Sequence, residues 1–394
     1  MTYTQTSCPV CRSGDITTVV EIPQVPVLCN VLWRTRDEAL NAPMGEISLG
    51  FCRDCGHIFN RAFDPARMHY TDEYENSLHF SPRFREYVSD VAEGLVRRYQ
   101  LRGKTIMEIG CGKGDFLSLI CSLGGSRGIG FDPSCDEERV CSAGGERVTI
   151  VKDYYSEKYA GQQADLICCR HVLEHIQAPI DFLTGLRLAG GRRPDTAYFF
   201  EVPNAVFTLR DLGIWDIIYE HCSYFSAASL AHLFNSCGFE VNDLSEGFEG
   251  QFLRIEARSA ESGRTEGFMY REKADVLASY VTDFAGQYAD KVLKWRCEKK
   301  RSLQSGLRTV IWGGGSKGVS FLNTLDVRDW VEYVVDISPY KHGRYVPGTG
   351  QRIVPPDYLR AYQPDVIIVM NPVYLHEIRQ IVDGFGISPQ IIPV

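Results

Sequence analysis

The chain has 394 residues, which sets an expectation of two to three domains, and 44% of them are hydrophobic, enough for ordinary buried cores. A net charge of −8 disfavours general affinity for nucleic acid or anionic membrane. No apolar run approaches spanning length and the first residues are polar, so neither a membrane span nor a signal peptide is predicted and a cytoplasmic protein is expected. In that compartment the 14 cysteines read as thiols or metal ligands, not as a disulfide framework.

Residues 1–70 form the first predicted unit. Cys8-Pro-Val-Cys11 and Cys52-Arg-Asp-Cys55-Gly56 are two C-x-x-C pairs. Two-residue spacing lets both thiolates of a pair reach one ion, and two pairs complete a closed tetrahedral sulfur site, which is structural zinc chemistry. A redox pair or buried free thiols are the competing readings. A closed site has no open coordination position, so no catalytic role is assigned to it. The long stretch between the pairs must fold out as an insertion, and Gly56 suits the tight turn of a knuckle.

The second unit spans 71–260. Leading into it is an aromatic, polar run from Tyr70 through Tyr74 and His79 to Pro82, followed by apolar residues at helical spacing from Phe84 to Val96. Two readings stand side by side: a capping helix with a polar lead-in, or a lid carrying Tyr74 and His79 towards a substrate. Next comes Thr105-Ile-Met-Glu108-Ile-Gly110-Cys-Gly112-Lys-Gly114-Asp, then an apolar helix. This is strand, glycine turn, helix, a geometry that brings a ligand against backbone N–H groups at a helix start. A second short strand ends in Asp132, an acid suited to the two hydroxyls of a ribose. Strands are predicted at 105–109, 127–131, 148–151, 165–169 and 197–202, and helices at 115–123, 134–143, 178–188 and 227–237. Two closing strands follow at 239–244 and 251–257. Alternation of this kind gives a doubly wound α/β sheet, with ligands beyond the carboxyl ends of the strands. Glu108, Asp132, Arg170 and Glu201 fall at those ends.

These stretches resemble class I S-adenosylmethionine (SAM) methyltransferases. The resemblance implies that Gly110, Gly112 and Gly114 carry the methionine end, with Glu108 and Arg170 beside it. It also implies that Asp132 holds the ribose and that Asp153 and Tyr154 lie near adenine.

Two clusters in this unit could carry chemistry. In His171-Val-Leu-Glu174-His175 the glutamate sits third, not second, so the zincin pattern is absent. A structural or donor-lining role competes there with proton transfer by His171. The second cluster, Tyr219-Glu220-His221, lies on a loop between Asn204 and a helix capped by Ser226. Its competing readings are a hydrogen-bonded aromatic loop and a substrate-contacting or catalytic one.

The third unit, 261–394, opens on a long charged linking helix. Thr309-Val-Ile-Trp-Gly313-Gly-Gly-Ser-Lys317-Gly318 then repeats strand, glycine turn, helix, and further strands end at Asp336 and Asn371. The turn lacks the Walker spacing, but glycines can approach a phosphate and Lys317 supplies charge. Because one chain rarely needs two donor sites, it is assigned to substrate phosphates. A turn that only packs is the alternative.

The three-part order as a whole resembles the nucleotide-sugar C-methyltransferases of deoxysugar biosynthesis. It does so through Cys52 to Gly56, Tyr74 to Pro82, Glu108 to Gly114, Tyr219 to His221, Gly313 to Gly318 and Asn371-Pro-Val-Tyr374. The fold this implies is a class I methyltransferase sheet with an N-terminal four-Cys zinc module and a C-terminal Rossmann-like α/β domain. The implied ligands are SAM, structural zinc and a sugar nucleotide in the cleft between the last two domains, with a monomer or weak homo-oligomer expected. His221 is expected as base, oriented by Glu220. Tyr219 or His171 would serve the oxyanion, and Tyr74 would close over the sugar. His79, Asn204, Lys317, Asn371 and Tyr374 are expected at the substrate. O- or N-methylation of a sugar or phosphorylated small molecule, and a non-catalytic binding partner, remain as alternatives.

Overall fold

The computed structural model describes residues 4–70, 73–135, 147–190, 195–260 and 274–394. The helix expected over 134–143 and the charged lead-in at 262–273 lie mostly or wholly outside them.

In the first unit the strands are β1 (Ile16–Pro26), β2 (Met44–Cys52) and β3 (Ile58–Asn60). The second unit carries β4 (Thr105–Ile109), β5 (Arg127–Phe131), β6 (Val148–Val151), β7 (Leu166–Arg170) and β8 (Ala197–Pro203). It continues with β9 (Ser223–Tyr224), β10 (Phe239–Gly247) and β11 (Phe252–Ser259). The third unit carries β12 (Thr309–Trp312), β13 (Val331–Val335), β14 (Arg352–Val354), β15 (Val366–Val369) and β16 (Gln390–Pro393).

The central sheet runs β10-β11-β8-β7-β4-β5-β6. Its five inner and far-edge strands are parallel, while β11 pairs antiparallel with both β8 and β10. This is the class I methyltransferase arrangement. β7 is buried along its whole length, which is why it reads as an unbroken apolar run and not as an alternating one. The C-terminal sheet, β14-β13-β12-β15-β16, is parallel throughout.

The helix Pro82–Arg98 begins where expected. Ser81 Oγ accepts the Phe84 N–H as N-cap and Pro82 occupies the first turn, where its missing N–H costs nothing. Its apolar face buries Phe84, Val88, Val91, Ala92, Leu95 and Val96 against Ile106, Phe116 and Ile120. The larger of these side chains contribute roughly 1.5–3 kcal/mol each. Tyr87 shares that spacing but sends its hydroxyl to Glu201.

Two features depart from the local reading. β9, at the end of the Tyr219–His221 stretch, pairs antiparallel with β3 and completes the sheet β1-β2-β3-β9 of the first unit. The loop is therefore bonded to the N-terminal module. The linking helix is Ala274–Gln304, 31 residues long. It packs Leu277, Val281, Phe284 and Trp295 into a core shared with Ile47 of β2, Trp215 and Phe321, so it joins the first and third units. Among the described residues no helix is long and apolar enough to cross a membrane.

Candidate active site

The donor end is built on the turn after β4. Gly110, Gly112 and Gly114 all take positive φ, at 68°, 55° and 79°. Gly110 N donates to Phe131 O at 2.8 Å, and Gly112 N donates to Asp132 Oδ2 at 2.8 Å. Ser134 N and Oγ donate to Asp132 Oδ1 at 2.8 and 2.7 Å. A carboxylate has about four acceptor positions, so Asp132 keeps capacity for a further donor such as a ribose hydroxyl.

Glu108 is 3% exposed, and its Oε2 has no hydrogen-bond partner. Burial pushes its pKa up to about 8, against the pull of Arg170 and with help from Asp115 and Asp132. A Cβ on Gly112 would meet nothing within 4 Å, so there is room above the turn. An orphaned acid, open space and a fixed carboxylate fit the amino group and ribose of SAM. On the far side Asp153 pairs with Lys158 and accepts from Tyr159 Oη at 2.8 Å, while Tyr154 is 58% exposed.

Arg170 does not point freely into the donor site. Its Nη2 bonds Glu201 Oε1 at 2.7 Å and its guanidinium stacks over Phe116 at 4.3 Å. Burial would raise the Glu201 pKa, but Arg170, His171 and Tyr87 together outweigh it and hold Glu201 at about 2. His171 has φ 55°, its Nε2 lies 3.1 Å from Glu201 Oε1, and its ring meets Phe252 at 4.5 Å.

Beside this end lies a cluster of buried acids and half-buried imidazoles. Glu174, His175 and His221 each present a potential ligating atom within 4.8 Å of the others. His175 Nδ1 lies 2.9 Å from Glu220 O and 3.2 Å from Tyr70 Oη. His221 stacks edge-on to His175 at 5.0 Å. Burial lowers His175 to about 4. Burial, His175, His171 and Lys317 lower His221 well below its usual value. Both rings are therefore neutral at pH 7 in the donor-free protein.

Glu220 is fully buried. Its carboxylate does not orient the His221 ring as expected: Oε1 accepts Cys29 N and Oε2 accepts Tyr74 Oη, both at 2.5 Å. Burial raises Glu220 to about 7, with Tyr74 and Cys29 acting to lower it.

The third part is the turn after β12. Gly313 N donates to Val335 O at 2.8 Å, Gly314 N to Asp336 Oδ2 at 2.9 Å, and Ser338 N to Asp336 Oδ1 at 2.8 Å. These three bonds repeat those of Gly110, Gly112 and Ser134. Lys341, 5% exposed, sits 3.5 Å from Asp336 Oδ2 and 3.4 Å from Gly314 O. Asn30 Oδ1 would lie 3.7 Å from a Cβ on Gly315, and Asn30 Nδ2 reaches Tyr74 Oη at 3.5 Å. A line of contacts therefore runs from Glu220 through Tyr74 and Asn30 to the turn.

Several expected site residues are placed elsewhere. Tyr219 is 1% exposed in the N-terminal core, against Phe63, and its hydroxyl accepts Asp64 N at 2.9 Å. It cannot serve an oxyanion in the cleft. Asn204, 2% exposed, caps the helix Ala205–Arg210 and gives its amide N–H groups to Gly250 O at 2.9 Å and Glu246 Oε1 at 3.3 Å, so both donors are used within the protein. Asn371 caps the turn Pro372–Tyr374 and exchanges two 3.1 Å bonds with Gln251. Tyr374 packs against Phe248. Lys317 is held 2.7 Å from Asp216. His79 lies edge-on to Phe84 at 5.4 Å, on the segment that leads into the helix Pro82–Arg98. Asn30 and Lys341 carry no signal in the sequence, because neither sits in a motif and each gains its place by contact across the chain. Cys29, a conceivable substitute ligand for the four-cysteine site by sequence, instead gives its N–H to Glu220.

The four N-terminal cysteines do converge. Sγ–Sγ separations are 3.6 Å for Cys8–Cys55 and 3.4 Å for Cys11–Cys52, and all four sulfurs lie within 4.8 Å. A tetrahedral ion with sulfur ligands at about 2.3 Å would give edges of about 3.8 Å, so the donor set fits one. Gly56 takes φ 71°, as the knuckle turn requires.

Residues 82–244 match a family model described as a methyltransferase domain, and residues 255–386 match one described as a C-methyltransferase C-terminal domain. The chain is 25% identical over 393 residues to the C-methyltransferase NovU of Streptomyces niveus, covering 94% of this chain and 90% of that protein. Among solved structures it is similar to the magnesium protoporphyrin IX methyltransferase ChlM of Synechocystis PCC 6803 with bound SAH. The identity there is 16% and the TM-score 0.36, over 45% of this chain and 84% of that one. A SAM-dependent methyltransferase of Aquifex aeolicus gives 17% and 0.37, over 46% and 95%. With a match to a methyltransferase domain followed by a match to a C-methyltransferase C-terminal domain, the chain is a SAM-dependent methyltransferase, similar along nearly its full length to a C-methyltransferase.

Proposed function

We propose that the protein methylates a carbon of a nucleotide-linked keto-deoxysugar through an enolate, with zinc held by Cys8, Cys11, Cys52 and Cys55 in a structural role. The observation that carries the acceptor class is the repeated wiring of the two glycine turns. The Gly313–Gly315 turn repeats the hydrogen bonds of the Gly110–Gly114 turn, with a buried lysine beside it and a line of contacts back to the His221 cluster, which supports a second nucleotide at that turn.

SAM supplies an electrophilic methyl group on a sulfonium. The chain must then create a carbon nucleophile and align it. His221, neutral and half-buried, is the proposed base for the proton alpha to the keto group. Its low basicity rises when an anion forms beside it, because an enolate favours the imidazolium by direct charge interaction. His171 is the remaining candidate to donate to the enolate oxygen, because the single Tyr74 hydroxyl proton goes to the Glu220 carboxylate; Tyr74 closes over the sugar. Glu220 thus acts on Tyr74 and not on His221.

Mass spectrometry of the product from SAM and a keto-deoxysugar nucleotide tests the reading: a carbon-bound methyl is expected. A heteroatom-bound methyl, or no transfer, rejects it. His221→Asn should retain SAM binding and lose solvent exchange of the alpha proton. Parental exchange in that variant removes His221 from the base role.

A further inference from the structure

The four-cysteine knuckle and the catalytic loop are joined by a direct path. Cys55 and Gly56 lead into His57, and Cys52 N donates to His57 O at 2.9 Å, closing the second knuckle on it. His57 is fully buried, and its Nε2 lies 3.2 Å from Ser223 Oγ. Its ring stacks on Phe59 at 5.9 Å and tilts against Phe225 at 4.9 Å. Ser223 is two residues from His221. The backbone follows the same route: β3 pairs with β9 through Ile58–Tyr224 and Phe59–Ser223, and Asn60 N donates to Cys222 O at 3.0 Å. Cys8, Cys52 and Phe59 belong to one apolar core with Phe225 and Phe200 of the donor-binding domain.

We propose that the four-cysteine site positions the His221 loop, with His57 as the positioning residue that carries the knuckle's geometry to Ser223. The loop 219–224 has little secondary structure of its own: β9 is two residues long. A two-residue strand is too short to hold its register alone. Its register depends on β3, and β3 starts one residue after His57. An ion closing the knuckle fixes Cys52 and Cys55, hence His57, hence the loop that presents His221. The donor turn at Gly110–Gly114 borders the same apolar core through Met107, Ile109 and Phe131, but it is held by its own bonds to Phe131 O and Asp132 and not by the His57–Ser223 contact. Metal occupancy and the His57–Ser223 contact should therefore govern turnover and not SAM affinity. The proposal rests on His221 being the base.

The test uses full-length protein with zinc bound: parent, His57→Leu, His57→Gln, Ser223→Ala and His221→Asn. Four quantities are read: zinc per chain, SAM affinity, amide hydrogen exchange over 219–225, and kcat with the keto-sugar nucleotide. In His57→Leu and Ser223→Ala, zinc content should stay at parental level and SAM affinity within twofold. Loop exchange should rise at least tenfold and kcat fall at least tenfold. His57→Gln, whose amide can still reach Ser223, should restore kcat to within threefold of the parent. Stripping zinc from the parent with a chelator should raise exchange over 219–225 in the same way. Parental loop exchange in both variants overturns the proposal, whatever their kcat, and so does raised exchange with parental kcat. Should His57→Leu fail to fold, Ser223→Ala, which loses only a hydroxyl, decides the matter. If His221→Asn turns over normally, the base assignment fails, while the exchange data still report whether knuckle and loop are coupled.

Discussion

Glu108 shows what a single residue must do at this site. A carboxyl buried without its own cation is held neutral, and at pH 7 the donor-free protein keeps it largely protonated, since its pKa is raised to about 8. The amino group of a bound donor would favour the carboxylate, so binding should release part of a proton near pH 7.5. Calorimetric titration of SAM in two buffers of different ionisation enthalpy should show this release, and Glu108→Gln should abolish it. Equal enthalpies in both buffers for the parent would refute the pairing. The nearby Arg170–Glu201 pair is different in kind: it is satisfied internally and behaves as a brace at the carboxyl ends of β7 and β8. Both residues look alike in the sequence, as charges ending apolar strands, and only contact separates an acid with no hydrogen-bond partner on one oxygen from a paired one.

At the scale of the element, the donor turn combines two uses of glycine. A Cβ on Gly110 would fall 2.1 Å from Val172 Cγ2, a stiff β-branched neighbour, whereas one on Gly112 would enter open space. Gly110→Ala should therefore lose roughly 2–4 kcal/mol from left-handed strain plus overpacking. Gly112→Ala should lose only the strain, about 1–2 kcal/mol, yet weaken SAM binding more. Urea unfolding and SAM titration of the two variants check the crossing. Equal stability losses would show that the turn relaxes around Val172. The turn was legible because strand, glycine spacing and helix are adjacent in the chain. β9 was not, since a two-residue strand has no period, and its partner β3 lies more than 160 residues earlier.

For the whole molecule, the buried carboxyls set a pH dependence. Burial raises Glu108 and Glu174 to about 8 and Glu220 to about 7, so the folded, donor-free chain holds protons that the unfolded chain has lost. Stability from such raised groups is present at low pH and lost as pH climbs through the folded values. His175, held neutral down to about 4, acts in the opposite direction below about 6.5. The donor-free protein should thus be less stable at pH 8 than at pH 6.5, by about 1.4 kcal/mol per pH unit for each carboxyl still protonated. Denaturant midpoints across that range test it, and a flat or rising profile would contradict the burial of these acids.

The sequence by itself determined the parts whose causes are local. The two C-x-x-C knuckles, both glycine turns, the acids ending β5 and β13, and the capped helix Pro82–Arg98 each follow from spacing within a few residues. Tertiary structure decided the assignments that depend on which side of a chain meets which neighbour. It turned Tyr219 into the N-terminal core, used Asn204 and Asn371 as caps, gave Glu220 to Tyr74, and placed Lys341 beside the second turn. The reason is physical: a backbone motif carries its geometry in its own dihedral angles, whereas a side chain's task is set by the partners that burial leaves within reach.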